Sequence, residues 1–147
     1  MSNGIVTGGL YSVNGSFKLA GSAVGRGTFV VPDYANGTAA TPTQNGLADV
    51  WFVMNAVTTP KELGQDDKDF TVQIGEKLEL AKLQLGATFI TDQFDASYAT
   101  YDEGDAVMVG TSGKLMADSS GVFVAKIKEK LASWNGAPAL RCIVTKV

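Results

Sequence analysis

The sequence contains no histidine and a single cysteine, Cys142, among its 147 residues. Without histidine, one chain cannot form a Ser-His-Asp or Cys-His catalytic group, or a metal site with imidazole ligands. A lone cysteine cannot form an intramolecular disulfide. Because its neighbours Leu140 and Ile143 are apolar, we expect Cys142 to be buried as a small apolar side chain. Only carboxylate, lysine or tyrosine chemistry remains, and we predict that the protein is not an enzyme.

Charge is scarce in the first third of the chain. Residues 1–48 contain only Lys18, Arg26 and Asp33 among the 12 basic and 15 acidic side chains, but nine of the 17 glycines. Glycine-rich sequence loses much backbone entropy on ordering, and few apolar groups here oppose that loss. We predict that residues 1–48 form an extended, weakly charged arm and residues 49–147 a strand-rich β domain, within a single domain overall. Deletion of residues 1–31 should then leave a folded β domain.

The composition also argues against several classes of partner. A net charge of −3 disfavours nucleic acid, whose binding proteins usually have a basic surface. The longest uninterrupted apolar run, residues 50–54, is far shorter than the roughly 20 residues of a membrane-spanning helix. The N-terminus does not resemble a signal peptide, so we expect synthesis in the cytoplasm. The acidic clusters at residues 66–69 and 102–105 lack calcium-loop spacing, and we predict no metal or cofactor.

Short β-branched and aromatic runs, separated by glycine and proline, predict an all-β fold. We expect a small β-barrel, a β-tulip or a sandwich-like domain. A three-stranded β-meander is predicted from residue 106 onwards, because two glycine-bearing turns separate short strands there. Pro32 is expected to end the strand before it. The other predicted strands lie at residues 16–20, 28–31, 49–57, 70–74, 87–91 and 140–146.

Two segments are compatible with either a strand or a helix. In residues 76–85 the leucines alternate in two phases, which favours a strand with a β-bulge at Ala81 or Lys82. In residues 122–134, Phe123, Ala125, Ile127 and Leu131 would share one face of a strand, with lysines on the other. The Asn-Gly pair that follows is a strong hairpin signal, so a strand is favoured there too.

The segment Gly104–Ile127, GDAVMVGTSGKLMADSSGVFVAKI, has a Gly-Asp pair entering a strand and two glycine turns. With the lack of histidine and the Gly/Thr-rich N-terminus, it resembles the small capsid decoration (cement) proteins of tailed bacteriophages. The resemblance covers residues 70–147 in character. It implies a β-barrel or β-tulip fold, no catalytic residues and a location on the capsid exterior of the virion. The implied partners are the major capsid protein and further copies of the chain, as dimers or trimers.

Uncharged apolar sequence around residues 29–31 and 51–52 exceeds what one small core needs, and such sequence often marks interfaces, so we predict self-association. Two other functions stay open. One is a different virion component, such as a head-fibre base, a tail protein or a head–tail connector. The other is a small carbohydrate- or ligand-binding β-barrel that uses Trp51 or Trp134 as a stacking platform. The predicted partner-contact residues are Phe29, Val30, Val31, Tyr34, Trp51 and Phe52.

Overall fold

A computed structural model describes residues 4–55, 71–134 and 136–147 of the chain. About 49% of the chain is strand, and the described residues contain no α-helix, which confirms the predicted all-β class. The acidic cluster at residues 66–69 lies outside the described residues. The strands are β1 (Gly4–Gly8), β2 (Tyr11–Asn14), β3 (Lys18–Leu19), β4 (Val24–Gly25), β5 (Phe29–Asp33), β6 (Thr38–Ala40), β7 (Trp51–Val53), β8 (Thr71–Val72), β9 (Leu80–Leu83), β10 (Thr88–Thr91), β11 (Ala106–Val109), β12 (Leu115–Met116), β13 (Val124–Trp134) and β14 (Ala137–Lys146), with a 3-10 turn at Tyr98–Thr100.

Most of the strands belong to two six-stranded sheets. Sheet A has the order β1-β10-β14-β13-β11-β12, and sheet B has the order β2-β9-β7-β5-β6-β3. Strands β4 and β8 form a separate two-stranded ribbon. Within the described residues neither large sheet closes on itself, so no closed barrel forms there, and the two facing sheets are compatible with the sandwich-like alternative.

The two sheets face each other across an aromatic cluster, which we call the main core. The ring of Phe29 in β5 lies 5.7 Å from that of Phe89 in β10 and 5.5 Å from that of Phe123, between centroids. Phe52 in β7 also contacts Phe89, at 5.5 Å. Each of these rings is at most 1% exposed. They hold sheet B against sheet A.

A second core covers the other face of sheet B. Val30, Val53 and Leu80 point into it, away from the main core, because successive side chains of a strand alternate between faces. There they pack with Phe17 and Leu78, among others. The middle strands of sheet B are therefore buried on both faces, and their sequences are continuous apolar runs.

This two-sided burial explains residues 76–85, where the predicted strand is present as β9 but the predicted bulge is wrong. Strand β9 pairs in regular register with both β2 and β7. Leu80 faces the second core, whereas Ala81 and Leu83 face the main core. Because both faces of β9 are buried, apolar side chains are needed at successive positions. The leucine pattern therefore fits a regular strand without a bulge.

Within residues 122–134, Val124–Trp134 form the predicted strand, β13, which pairs with β14 as a hairpin. The register shifts between Ile127 and Glu129, one of three such irregularities along this pair of strands. After the shift Lys130 is paired with the buried Leu140, and its ammonium lies 4.3 Å from the centroid of the Tyr98 ring. The predicted continuous apolar face that included Leu131 is therefore interrupted by this register shift.

The three strands predicted as a meander are present, but their order is wrong. Strand β11 pairs with both β12 and β13, so the third strand lies beside the first. The far side of β12 is already occupied, because Leu115 exchanges backbone hydrogen bonds of 3.1 and 2.8 Å with residues 93–95. β13 therefore has no free edge of β12 to join.

Strand β5 also continues through Pro32, where it was predicted to end. The Val53 amide donates to the Thr28 carbonyl at 2.9 Å, which directs alternate residues of β5, including Pro32, toward β7. β7 begins at Trp51, opposite Val30, and offers no partner beside Pro32. The missing N–H of proline therefore breaks no ladder.

The predicted boundary at residue 48 does not separate two structural units. Residues 4–48 contribute six strands, and among these β1 pairs with β10 and β5 with β7. The glycines permit close contact between distant parts of the backbone. A Cβ at Gly121 would lie 2.6 Å from the Cα of Gly46, and one at Gly113 would lie 2.4 Å from the Phe29 carbonyl oxygen. The first third is thus packed into the body of the fold.

Deletion of residues 1–31 should abolish cooperative unfolding, because it removes Phe29 from the main core and Val30 from the second core. Loss of one buried phenylalanine side chain alone typically costs about 3–5 kcal/mol, a large share of a domain's stability. Circular dichroism melts of the full chain and of the deletion variant would measure this. A soluble variant with a sharp, single melt would support the arm interpretation instead.

Gly121→Ala should lower the free energy of unfolding by about 1–3 kcal/mol, because the added methyl group would overlap the Gly46 backbone. Gly15→Ala is the matched control, since nothing lies within 4 Å of a Cβ built there. The control should change stability by about 0.5 kcal/mol or less. Urea titrations followed by tryptophan fluorescence would report both values. Equal shifts of the two midpoints would contradict the close-packing argument.

Candidate functional site

Three of the predicted partner-contact residues are interior. Phe29, Val30 and Phe52 are each 0% exposed and form the chain's own cores. Val31 is half-buried and packs against the main core. These side chains are not available to a partner while the chain is folded, so the prediction is corrected for the three that are fully buried. Their uncharged sequence context reflects burial within the chain, because sheet B is covered on both faces.

The remaining two, Tyr34 and Trp51, converge on the carboxylate of Asp49. The Tyr34 hydroxyl donates to Oδ2 at 2.8 Å, and the Trp51 indole N–H donates to Oδ1 at 2.9 Å. The Lys82 ammonium donates to the same Oδ1 at 3.2 Å and to the Ala48 carbonyl at 3.0 Å. We call Tyr34, Asp49, Trp51 and Lys82 the Asp49 cluster.

The fold brings this cluster together from three adjacent strands of sheet B. Tyr34 follows β5, Trp51 begins β7 and Lys82 lies in β9. Trp51 is paired with Val30 and so shares its side of the sheet, the side of the second core. The Tyr34 ring stands edge-on to Phe17, with 5.7 Å between centroids, although Tyr34 itself is 66% exposed. The cluster thus lies at the solvent-facing border of the second core.

Hydrogen bonding fixes the charges of the cluster. Partial burial alone would raise the pKa of the Asp49 carboxyl, but hydrogen bonds from Tyr34, Trp51 and Lys82 outweigh it and lower the pKa below 3.8. Its hydrogen bond to Asp49 raises the pKa of the Tyr34 phenol above 10.0. At neutral pH Asp49 is therefore ionised and Tyr34 is neutral. The cluster offers aromatic surface with polar edges.

A second accessible surface, the free edge of β2, was missed in the sequence analysis. β2 is the outermost strand of sheet B and pairs with β9. Tyr11 is 44% exposed and Val13 61% exposed, and the adjoining Leu10 and Leu85 are also exposed. The available signal was the alternation of Tyr11 and Val13 ahead of an Asn-Gly pair. It was missed because residues 1–48 were predicted to form an extended arm without regular strands.

Two other residues singled out in the sequence lie away from both surfaces. Cys142 is a free thiol buried in the main core, and burial raises its pKa to about 12. Its predicted role as a small apolar side chain is confirmed. Trp134 ends β13 in sheet A and does not belong to the Asp49 cluster.

Comparisons of the chain with protein-family models, with curated proteins and with solved structures each found no match. Within residues 4–55, 71–134 and 136–147, no three cysteine or acidic side chains are grouped to hold a metal ion. A helix long and apolar enough to cross a membrane is likewise not found in that part of the chain.

Asp49→Asn should destabilise the protein at neutral pH by about 1 kcal/mol or less, since the carboxylate is 44% exposed and solvent screens it. The folded-state pKa of Asp49 is lowered, so its stabilising effect is complete above the ordinary value of 3.8 and is lost as pH falls through the lowered pKa. The stability difference between the two proteins should therefore shrink below about pH 4. Urea titrations at pH 7, 4 and 3 would measure it, and a constant difference would contradict the assignment.

Proposed function

We propose that the chain is a structural virion protein that binds the outer surface of a bacteriophage capsid, as a decoration protein. Its contact surface would be the Asp49 cluster. The observation that carries this proposal is the pair of aromatic side chains, the exposed Tyr34 and the half-buried Trp51, held in place by hydrogen bonds to one carboxylate. Tyrosine and tryptophan are enriched at interface hot spots, because they bury a large area with few rotatable bonds.

The support behind the cluster favours binding over a role in folding alone. Its residues project from β7, β9 and the end of β5, which are neighbours in sheet B, and these middle strands are buried on both faces. A contact surface fixed in advance loses little conformational entropy on binding. Each contact with the shell is small, but many copies on one capsid would act together to stabilise neighbouring capsomers.

A second candidate function, carbohydrate binding, is favoured by the same cluster. The Tyr34 ring is 66% exposed, and a carboxylate and an ammonium lie beside it in Asp49 and Lys82. Aromatic faces stack on the carbon faces of sugar rings, and flanking polar groups bond hydroxyls. The platform would be Tyr34 together with Trp51. Another virion role, in a head fibre, tail or connector, would use the cluster in the same way as capsid binding.

Tyr34→Ser should weaken binding to capsids at least tenfold, since loss of a hot-spot aromatic removes about 2 kcal/mol or more. The protein would be mixed with undecorated heads of candidate tailed phages, then examined by co-sedimentation and cryo-EM. Ile74→Ser is the control, because Ile74 is similarly exposed, at 61%, and is not part of the cluster. Ile74→Ser should keep the thermal midpoint of the parent, and Tyr34→Ser should lower it only slightly, because it removes one exposed hydrogen bond and one ring contact.

The outcomes separate the candidate functions. Extra density on the capsid exterior that Tyr34→Ser removes and Ile74→Ser leaves supports decoration through this cluster. Density that survives Tyr34→Ser would place the contact elsewhere. Failure to bind any head, combined with glycan-array binding that depends on Tyr34, would favour the carbohydrate function.

A further inference from the structure

We infer that β2 is a homodimer interface, where the β2 strands of two copies pair antiparallel and join their B sheets. This inference does not rest on the proposed capsid binding. It starts from the backbone groups that a sheet edge leaves without partners, which make an uncovered edge a template for another strand. The two large sheets have four edges, and they are not equivalent.

Two of the edges are covered by the chain itself. Leu115 of β12 exchanges backbone hydrogen bonds with residues 93–95, at 3.1 and 2.8 Å. Leu19 of β3 likewise exchanges two with residues 75–76, at 2.9 and 2.8 Å. These edge strands are only two residues long, and short covered edges do not recruit a partner strand.

The third edge, β1, is interrupted by a register shift between Val6 and Gly8. Such irregularities twist an edge and hinder further pairing. β2 has no such protection. Its register with β9 is regular across all four residues, it contains no proline, and no charged residue occurs in the chain before Lys18. Within the part of the chain that the structure describes, β9 is its sole strand partner.

The direction of the free groups follows from one hydrogen bond. The Gln84 amide donates to the Leu10 carbonyl at 3.1 Å, just beyond the end of the ladder. In an antiparallel pair, bonded and non-bonded positions alternate, so Ser12 bonds toward β9. Tyr11 and Val13 then direct their N–H and C=O groups outward. The edge thus presents two donors and two acceptors.

One symmetric register satisfies all of these groups. When Ser12 lies opposite Ser12 of the second copy, Tyr11 lies opposite Val13 of the second copy, and the reverse. All four outward groups of each strand then bond across the two-fold axis. A register centred on Tyr11 or on Val13 would instead place Gly9 or Gly15, which lie outside β2, in bonding positions.

The side chains favour a second copy over a charged partner. In this register each Tyr11 ring meets the Val13 methyl groups of the other copy, an aromatic–β-branched pair that stabilises antiparallel strands. Because the edge carries no charge, two identical strands meet without repulsion, whereas a charged strand would lose solvation with no counter-charge from β2. Two-fold pairing of one surface with itself is also the commonest form of assembly.

The first test is the oligomeric state. Analytical ultracentrifugation at tens of micromolar should show a dimer, and Val13→Lys should raise its dissociation constant at least tenfold. Ile74→Lys is the matched control, because Ile74 and Val13 are both 61% exposed. A monomer at these concentrations would overturn the inference and assign the edge to another partner. A dimer that Val13→Lys leaves intact would overturn it as well.

The second test measures the register and is independent of variant stability. Directly opposite, non-bonded residues of antiparallel strands have Cα atoms about 4.5 Å apart, which suits a disulfide. Ser12→Cys should therefore cross-link two copies in oxidised glutathione at least tenfold faster than Val13→Cys. The native Cys142 is 0% exposed and does not compete. Equal rates for the two variants would refute the register and the interface.

Discussion

The burial of sheet B on both faces is the constraint on which the rest of the structure depends. Phe29 and Val30 are consecutive and both 0% exposed, yet they belong to different cores. A strand in this position cannot be displaced without opening both clusters. It also requires two covering layers, which explains why a chain of this size uses its glycine-rich first third as structure. The Asp49 cluster inherits its fixed geometry from this arrangement, because its side chains project from the same strands.

Local signals in the sequence were sufficient for the fold class and for elements whose partners are close in the chain. In the sequence, the Asn-Gly pair and the alternation before it identify the β13–β14 hairpin, since the two strands that pair lie close together in the chain. The same reasoning failed for β5, whose neighbours in sheet B come from residues 38–40 and 51–53 and whose cover comes from sheet A. The sequence of residues 29–33 alone does not indicate that both faces of this strand will be buried. The apolar side chains of this strand were therefore predicted to contact a partner protein.

The candidate site was predictable only in part, for a similar reason. Tyr34 and Trp51 were identified from residue type. Asp49 and Lys82 were not, because they join the cluster only through contacts between three strands. The geometry also relates this cluster to the β2 edge. A two-fold axis between antiparallel strands runs perpendicular to the sheet, so paired copies would present their Asp49 clusters on the same side. Two such contacts on one flat shell would bind with the advantage of effective concentration.

The pairing of β1 with β10 has a consequence for how the protein is made. Thr7 and Thr88, whose hydroxyls are 2.8 Å apart, are separated by 81 positions in the chain. Phe29 likewise meets Phe123 in the main core. During synthesis these N-terminal residues must therefore wait, without their partners, until the segment as far as Phe123 has left the ribosome. Such non-local topologies fold slowly. A segment that waits in this way benefits from being rich in glycine and poor in long apolar runs, because it is then less prone to aggregate before its partners arrive.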